Sequence, residues 1–345
     1  MTDTLGMAAQ LAGNALRFGW YYGVSQLVER RATALIRTPR YRPAGLVPSL
    51  HELLSDLGAL FLQDAAAVRE GIYPPTGGEA TGFAEHLVRL RQMLADLPAA
   101  IERREAADAL SVRVVPEAGE LPAYFTQDFH FQSGGYLTEH SARLYDVQVE
   151  TLFMGSANAM RRAGLRPIAE FIKGRDQRQL ALLDVACGTG RFLRQVRLAF
   201  PALRLTGLDL SKAYLGEAES HMRGVRPATF VLANAEKMPL ADASQDVVSA
   251  IFLYHELPPE VRTRVSREIA RVLKPCGLFV FIDSLQMGDK PAWDGLLEAF
   301  PERFHEPYYR HYAGDDLDGL FSAAGLAPHS SDLAFMSKVM VRRRA

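Results

Sequence analysis

The stretch Leu182-Leu183-Asp184-Val185-Ala186-Cys187-Gly188-Thr189-Gly190-Arg191-Phe192 decides how this chain folds. A short apolar run carrying one acid enters a Gly-x-Gly turn, and the turn opens a helix. Glycines there permit positive φ and let a ligand approach bare backbone. A dinucleotide fingerprint would need a third glycine where Leu193 stands. That side chain opposes the close helix–strand packing of a pyrophosphate site. Asp184 would also repel phosphate, yet it suits a cationic amino-acid ligand.

Outward from this turn the texture is regular. Apolar runs at 180–185, 203–208, 229–232, 247–252 and 278–282 alternate with helical-period segments at 190–200, 212–222 and 259–273. Apolar strands alternating with helices predict a parallel sheet covered on both faces. Upstream of Gln179 the pattern is helical, at 13–37, 50–70, 82–107 and 139–163. Pro43, Pro48, the tract Tyr73-Pro74-Pro75-Thr76-Gly77-Gly78 and an aromatic, Pro/Gly-rich stretch from Pro116 to Leu137 punctuate it. The expected organisation is a helical region over 1–115, acting as cap or dimer contact. A linker and helical lid over 116–178 and a ligand-binding α/β domain over 179–345 follow.

Further blocks follow in order. Asp209 ends the second strand, where a carboxylate accepts from both hydroxyls of a ribose. Ala233-Asn234-Ala235-Glu236 follows the third strand, and the fourth runs into Phe252-Leu253-Tyr254-His255-Glu256-Leu257-Pro258. Arg271-Val272-Leu273-Lys274-Pro275-Cys276-Gly277-Leu278 then feeds the fifth. Taken one at a time, Asp184 and Asp209 could be strand-end carboxylates capping helices.

As a set, these blocks resemble the class I S-adenosylmethionine-dependent methyltransferases. Leu144-Tyr145-Asp146, Leu152-Phe153-Met154-Gly155 and Met160-Arg161-Arg162 are similar to the segment before the domain in the ubiquinone/menaquinone C-methylase-like branch. The resemblance implies a Rossmann-like doubly wound α/β sheet of seven strands, the last antiparallel, with S-adenosylmethionine as cofactor. It gives Asp184 and the Gly188–Gly190 backbone to the methionine end, and Asp209 to the ribose. Leu210 then packs on adenine, and Asn234 and the Ala235 amide read its edge. Phe252 lines the methionine portion, and Tyr145 closes over the cofactor.

Methyl transfer is an in-line displacement that positioning and a dry pocket accelerate. A base is needed only where the acceptor must lose a proton. His255, just past the fourth strand, is the candidate, its alternative being a pocket wall. Two aromatic clusters, Tyr124 to Tyr136 and Trp293 to Tyr312, read as core or as acceptor pocket. Their polar members His130, His305 and Glu306, with Tyr309, are the pocket candidates. No His-Glu-x-x-His or Cys-x-x-Cys pairing occurs, so no metal site is expected.

Composition narrows the partners. The 345 residues are 48% hydrophobic and 23% charged, with 39 Lys+Arg against 40 Asp+Glu. This balance opposes nucleic-acid binding, and the run Arg342-Arg343-Arg344 reads as a solvated strand end. Two cysteines make neither a disulfide framework nor a Cys-rich metal site, which suits a reducing, cytoplasmic setting. The 13–37 helix carries Asn14, Arg17, Gln26 and Glu29, so a transmembrane span is not expected, and the helix reads as part of the cap or as a homodimer contact. A small-molecule C- or O-methyltransferase with an aromatic or hydrophobic acceptor is the reading. A non-catalytic cofactor sensor and a nicotinamide-dependent oxidoreductase are the alternatives.

Overall fold

The computed structural model describes residues 3–39, 41–76, 82–115, 118–119 and 121–345. Gly77 and Gly78 of the expected turn tract, and Pro116 at the head of the aromatic stretch, lie outside these. The chain begins with helices α1 (Thr4–Leu35), α2 (Leu50–Arg69), α3 (Phe83–Ala106), α4 (Glu139–Leu152), α5 (Ala157–Arg162) and α6 (Leu165–Ile172). The alternating half follows as β1 (Ala181–Val185), α7 (Arg191–Ala199), β2 (Arg204–Asp209), α8 (Lys212–His221), β3 (Thr229–Leu232) and β4 (Gln245–Ile251). It closes with α9 (Pro259–Val272), β5 (Leu273–Ser284), α10 (Asp294–Arg303), α11 (Tyr309–Ala313), α12 (Leu317–Ala323), β6 (Leu326–Ala334) and β7 (Ser337–Arg344). No helix among the described residues is long and apolar enough to cross a membrane.

The sheet has seven strands in the order β3-β2-β1-β4-β5-β7-β6. β1 lies parallel between β2 and β4, and β7 inserts antiparallel between β5 and β6. The expected doubly wound sheet with an antiparallel last strand is the observed one. Alternation along each strand splits the core into two layers. Leu182, Val247 and Val280 face α6 and α7 with Ile168, Phe192 and Val196. Leu183, Val248 and Phe279 face α9 and α12 with Val265, Ile269 and Phe321. Both faces of the central strands are therefore dry, which is why they read as continuous apolar runs. Winding reverses between β1 and β4, so a crevice opens at their carboxyl ends.

Three expectations need correction. α1 begins at Thr4 rather than near residue 13, because Asp3 caps it by accepting from the Gly6 amide at 2.7 Å. The helical segment 139–163 breaks between α4 and α5, with φ of 51° at Met154 and 81° at Gly155. The C-terminal arginines are not simply a solvated strand end. Arg342 is buried, lies over the Phe321 ring and pairs with Asp318.

The N-terminal helices are fastened to α5 by a buried polar knot. Asp64 of α2 takes a bidentate pair from Arg162, Nε to Oδ1 at 2.6 Å and Nη2 to Oδ2 at 2.8 Å. Gln10 and Asn14 of α1 donate to Asp64 Oδ2, and the Tyr73 hydroxyl donates to Oδ1. Burial opposes the Asp64 charge, but Arg162 outweighs it and holds the carboxyl below its ordinary range.

Candidate active site

The site grows from the strand ends at the switch point. At Gly188 (φ 52°) an added Cβ would meet only a Tyr214 ring carbon, 4.0 Å away, so the backbone there faces open space. Gly190 (φ 73°) is different. It lines neither of the two recesses over the turn, and a Cβ would sit 2.9 Å from that of Ala218. Its lack of a side chain lets α7 start hard against α8.

A cavity lies over this turn. Of the residues singled out from sequence, Tyr145, Gly188, Asp209, Leu210, Asn234, Ala235 and Phe252 share its wall. Asp209 Oδ2 accepts from the Gly188 amide and Oδ1 from the Ser211 amide, both at 2.8 Å. Burial raises its pKa. The Asn234 side chain is turned onto Glu236, its oxygen accepting from that backbone amide at 2.8 Å. Phe252 holds φ at 56° and Ala186 at 53°, backbone strain on two wall positions. The Phe252 ring stacks on Phe153 with centroids 6.1 Å apart.

Asp184 borders an adjoining recess with Tyr145, Arg161, Gly188 and Phe252. It accepts from the Ser249 hydroxyl at 2.7 Å, and burial pushes its carboxyl up to about 7. Arg161 brings the opposite charge, with its guanidinium 5.6 Å from the Phe252 ring centroid. Helix α4 is clamped onto the glycine turn by Asp146. Its carboxylate accepts from the Thr189 hydroxyl and from Arg191 Nε, each at 2.8 Å. Burial works against that charge, yet Arg191 holds the pKa at about 2.

The wall also contains members of the first aromatic cluster, read from sequence as core or acceptor pocket, and Tyr214 and Glu256, which were assigned no role. Tyr136 and Tyr214 meet Tyr145 edge-on at 6.3 and 5.4 Å, with Phe125 and Phe129 beside them. Glu256 is there too and accepts from the Tyr136 hydroxyl. Burial pushes its carboxyl up. Arg161 and Tyr136 lay inside quoted segments, but Tyr214 carried no signal beyond a helical position.

The remaining candidates sit elsewhere. His255 is behind the wall, with Nδ1 2.5 Å from Asp283 Oδ1 and its ring edge-on to Tyr309 and Tyr312. Burial disfavours its charge, but Asp283 outweighs this and raises the imidazole to about 10. The Tyr309 hydroxyl pairs with the Ser284 hydroxyl at 2.7 Å. His305 and Glu306 line a second, outer groove with Tyr41, Arg104 and Arg310. His130 approaches Glu306, its Nε2 3.0 Å from Oε1. Burial pushes the Cys187 thiol up, which opposes a reactive role.

Residues 182–277 match the methyltransferase domain family. Demethylmenaquinone methyltransferase of Thermotoga maritima is 30% identical over 196 residues, 55% of this chain and 77% of that protein. Ubiquinone/menaquinone biosynthesis C-methyltransferase UbiE of Methylobacterium nodulans is 31% identical over 180 residues, 50% and 68% of the two chains. Among solved structures, a SAM dependent methyltransferase from Aquifex aeolicus superposes with a TM-score of 0.40 at 19% identity, covering 53% of this chain and 89% of that one. The chain belongs to the class I S-adenosylmethionine-dependent methyltransferases. It is an enzyme, and S-adenosylmethionine is its cofactor.

Proposed function

We propose that this enzyme methylates an oxygen or carbon of a small, neutral acceptor of aromatic or hydrophobic character. The observation that carries this is the wall of the inner cavity. Phe125, Phe129, Tyr136, Tyr145 and Tyr214 line it together with Asp209 and Asn234, and no Lys, Arg or His lines it among the described residues. An anionic acceptor buried there would be uncompensated. The names of the two methyltransferases above, one of demethylmenaquinone and one of ubiquinone/menaquinone biosynthesis, support the same class.

The donor set fits the cofactor. Asp184 and Arg161 offer opposite charges for the ammonium and carboxylate of its methionine end. Gly188 leaves backbone open beside them, and the Asp209 carboxylate can accept from ribose hydroxyls. Leu210, Asn234 and Ala235 border the adenine end. When bound, S-adenosylmethionine supplies an electrophilic methyl group on a sulfonium centre. Tyr145 and Phe252 shield that end from water and hold the acceptor in line, which accounts for the rate through proximity. His255 acts as a positioning residue, since its ring lies behind Glu256 rather than in the wall. Asp283 fixes it.

The test offers the full-length enzyme a panel of phenols, hydroquinones and their carboxylated or phosphorylated counterparts, with S-adenosylhomocysteine release as readout. Turnover should favour the neutral members. Turnover of the anionic members alone would overturn the reading.

A further inference from the structure

Between the inner cavity and the outer groove stands a cluster that methyl transfer by positioning does not require. His130 comes from the turn before α4, Glu256 from the turn after β4, and Glu306 from the loop after α10. One ligand atom from each lies within 4.8 Å of the other two. Glu306 is only 3% exposed, and neither of its carboxylate oxygens receives a hydrogen bond. His130 Nε2 lies 3.0 Å from Oε1 and balances the charge when protonated, but Oε2 receives no donor, and a buried carboxylate that lacks part of its donor set is costly.

We propose that His130, Glu256 and Glu306 together bind one divalent transition-metal ion. One imidazole nitrogen and two carboxylate oxygens suit Zn²⁺ or Mn²⁺, and three protein ligands leave a coordination position open. Glu256 lines the inner cavity and Glu306 the outer groove, so the ion can enter from the groove and present its open position to the acceptor. There it would hold an acceptor oxygen as a Lewis acid. The metal site stands on its own donors, whereas its place beside the acceptor rests on the cavity assignment above. The absence of local ligand spacing in the sequence does not bear on it, because the three ligands come from distant segments.

Equilibrium dialysis of the full-length protein against MnCl₂, and separately ZnCl₂, tests the site. One ion per chain is expected. Affinity should fall about tenfold or more in Glu306→Gln and in Glu256→Gln, since even changes outside the ligand set cost that much. Thermal unfolding of the same samples reports that each variant is folded, and S-adenosylhomocysteine affinity is measured on the wild type. No retention of either ion by the wild type at millimolar concentration overturns the site, as does equal retention by the variants. In those cases His130 alone balances Glu306. Loss of S-adenosylhomocysteine binding by the wild type would instead strike the cavity assignment.

Discussion

Asp209 stands at the end of β2 with both oxygens already holding backbone amides, those of Gly188 and Ser211. Each oxygen keeps a lone pair for a hydroxyl, so the carboxylate can serve turn and ligand together. Asp209→Ala should weaken S-adenosylmethionine by ~2–3 kcal/mol, the scale for charge-assisted bonds lost in a buried site. Calorimetric titration of the folded variant checks this, and unchanged affinity would reject the assignment. His255 poses the opposite question. Its Nδ1 is committed to Asp283 and its ring to two tyrosines. His255→Gln, whose amide can still donate to Asp283, should keep kcat within about tenfold of wild type, well short of the loss of a general base. His255→Ala should mainly raise the acceptor KM. A kcat collapse in the Gln variant would return His255 to the chemistry.

At the level of elements, the start of α7 is the tightest joint. Gly190 brings α7 against α8, where a Cβ would lie 3.2 Å from the Ala218 Cα. Gly190→Val therefore adds both overpacking and strain at positive φ, together about 2–5 kcal/mol. We expect loss of cofactor binding, because the displaced turn carries Gly188 away from Asp209. Adding Ala218→Gly should restore part of the stability, measured by urea unfolding, since it relieves the packing but not the strain. No recovery would mean that packing on α8 is not the cause. The alternation of strands and helices here was legible because each element has its own local period. The break between α4 and α5 was not. Apolar spacing continues across it, and what forces the turn is α1, whose Arg17 carbonyl would lie 2.8 Å from a Cβ on Gly155.

Across the whole molecule, Asp64 and Arg162 join the N-terminal helices to the segment that enters the sheet. Removing one partner strands a buried charge, so Asp64→Asn should cost ~3–5 kcal/mol near neutral pH. The folded pKa of Asp64 lies below its unfolded value of ~3.9. The stabilisation is therefore present above the unfolded pKa and is lost as pH falls through the folded one. Urea unfolding of wild type and variant at descending pH should show the gap narrowing in acid. A gap independent of pH would contradict an ionised pair.

Residues 180–285 carried the five parallel strands, the helices between them and the glycine turn, because those depend on periodicity and on a few residues close together in the chain. The same locality made Asp184, Asp209, Asn234 and Phe252 visible as strand-end positions of one edge. Tertiary packing settled the rest. Only the packing of α5 against α7 brings Arg161 into one recess with Asp184, and only the folding of three loops together gathers His130, Glu256 and Glu306. Arg342 looked like a solvated end until β7 inserted between β5 and β6 and buried it. Contacts between distant segments leave no spacing in the chain, since burial and partner choice are properties of the packed surface rather than of neighbouring residues.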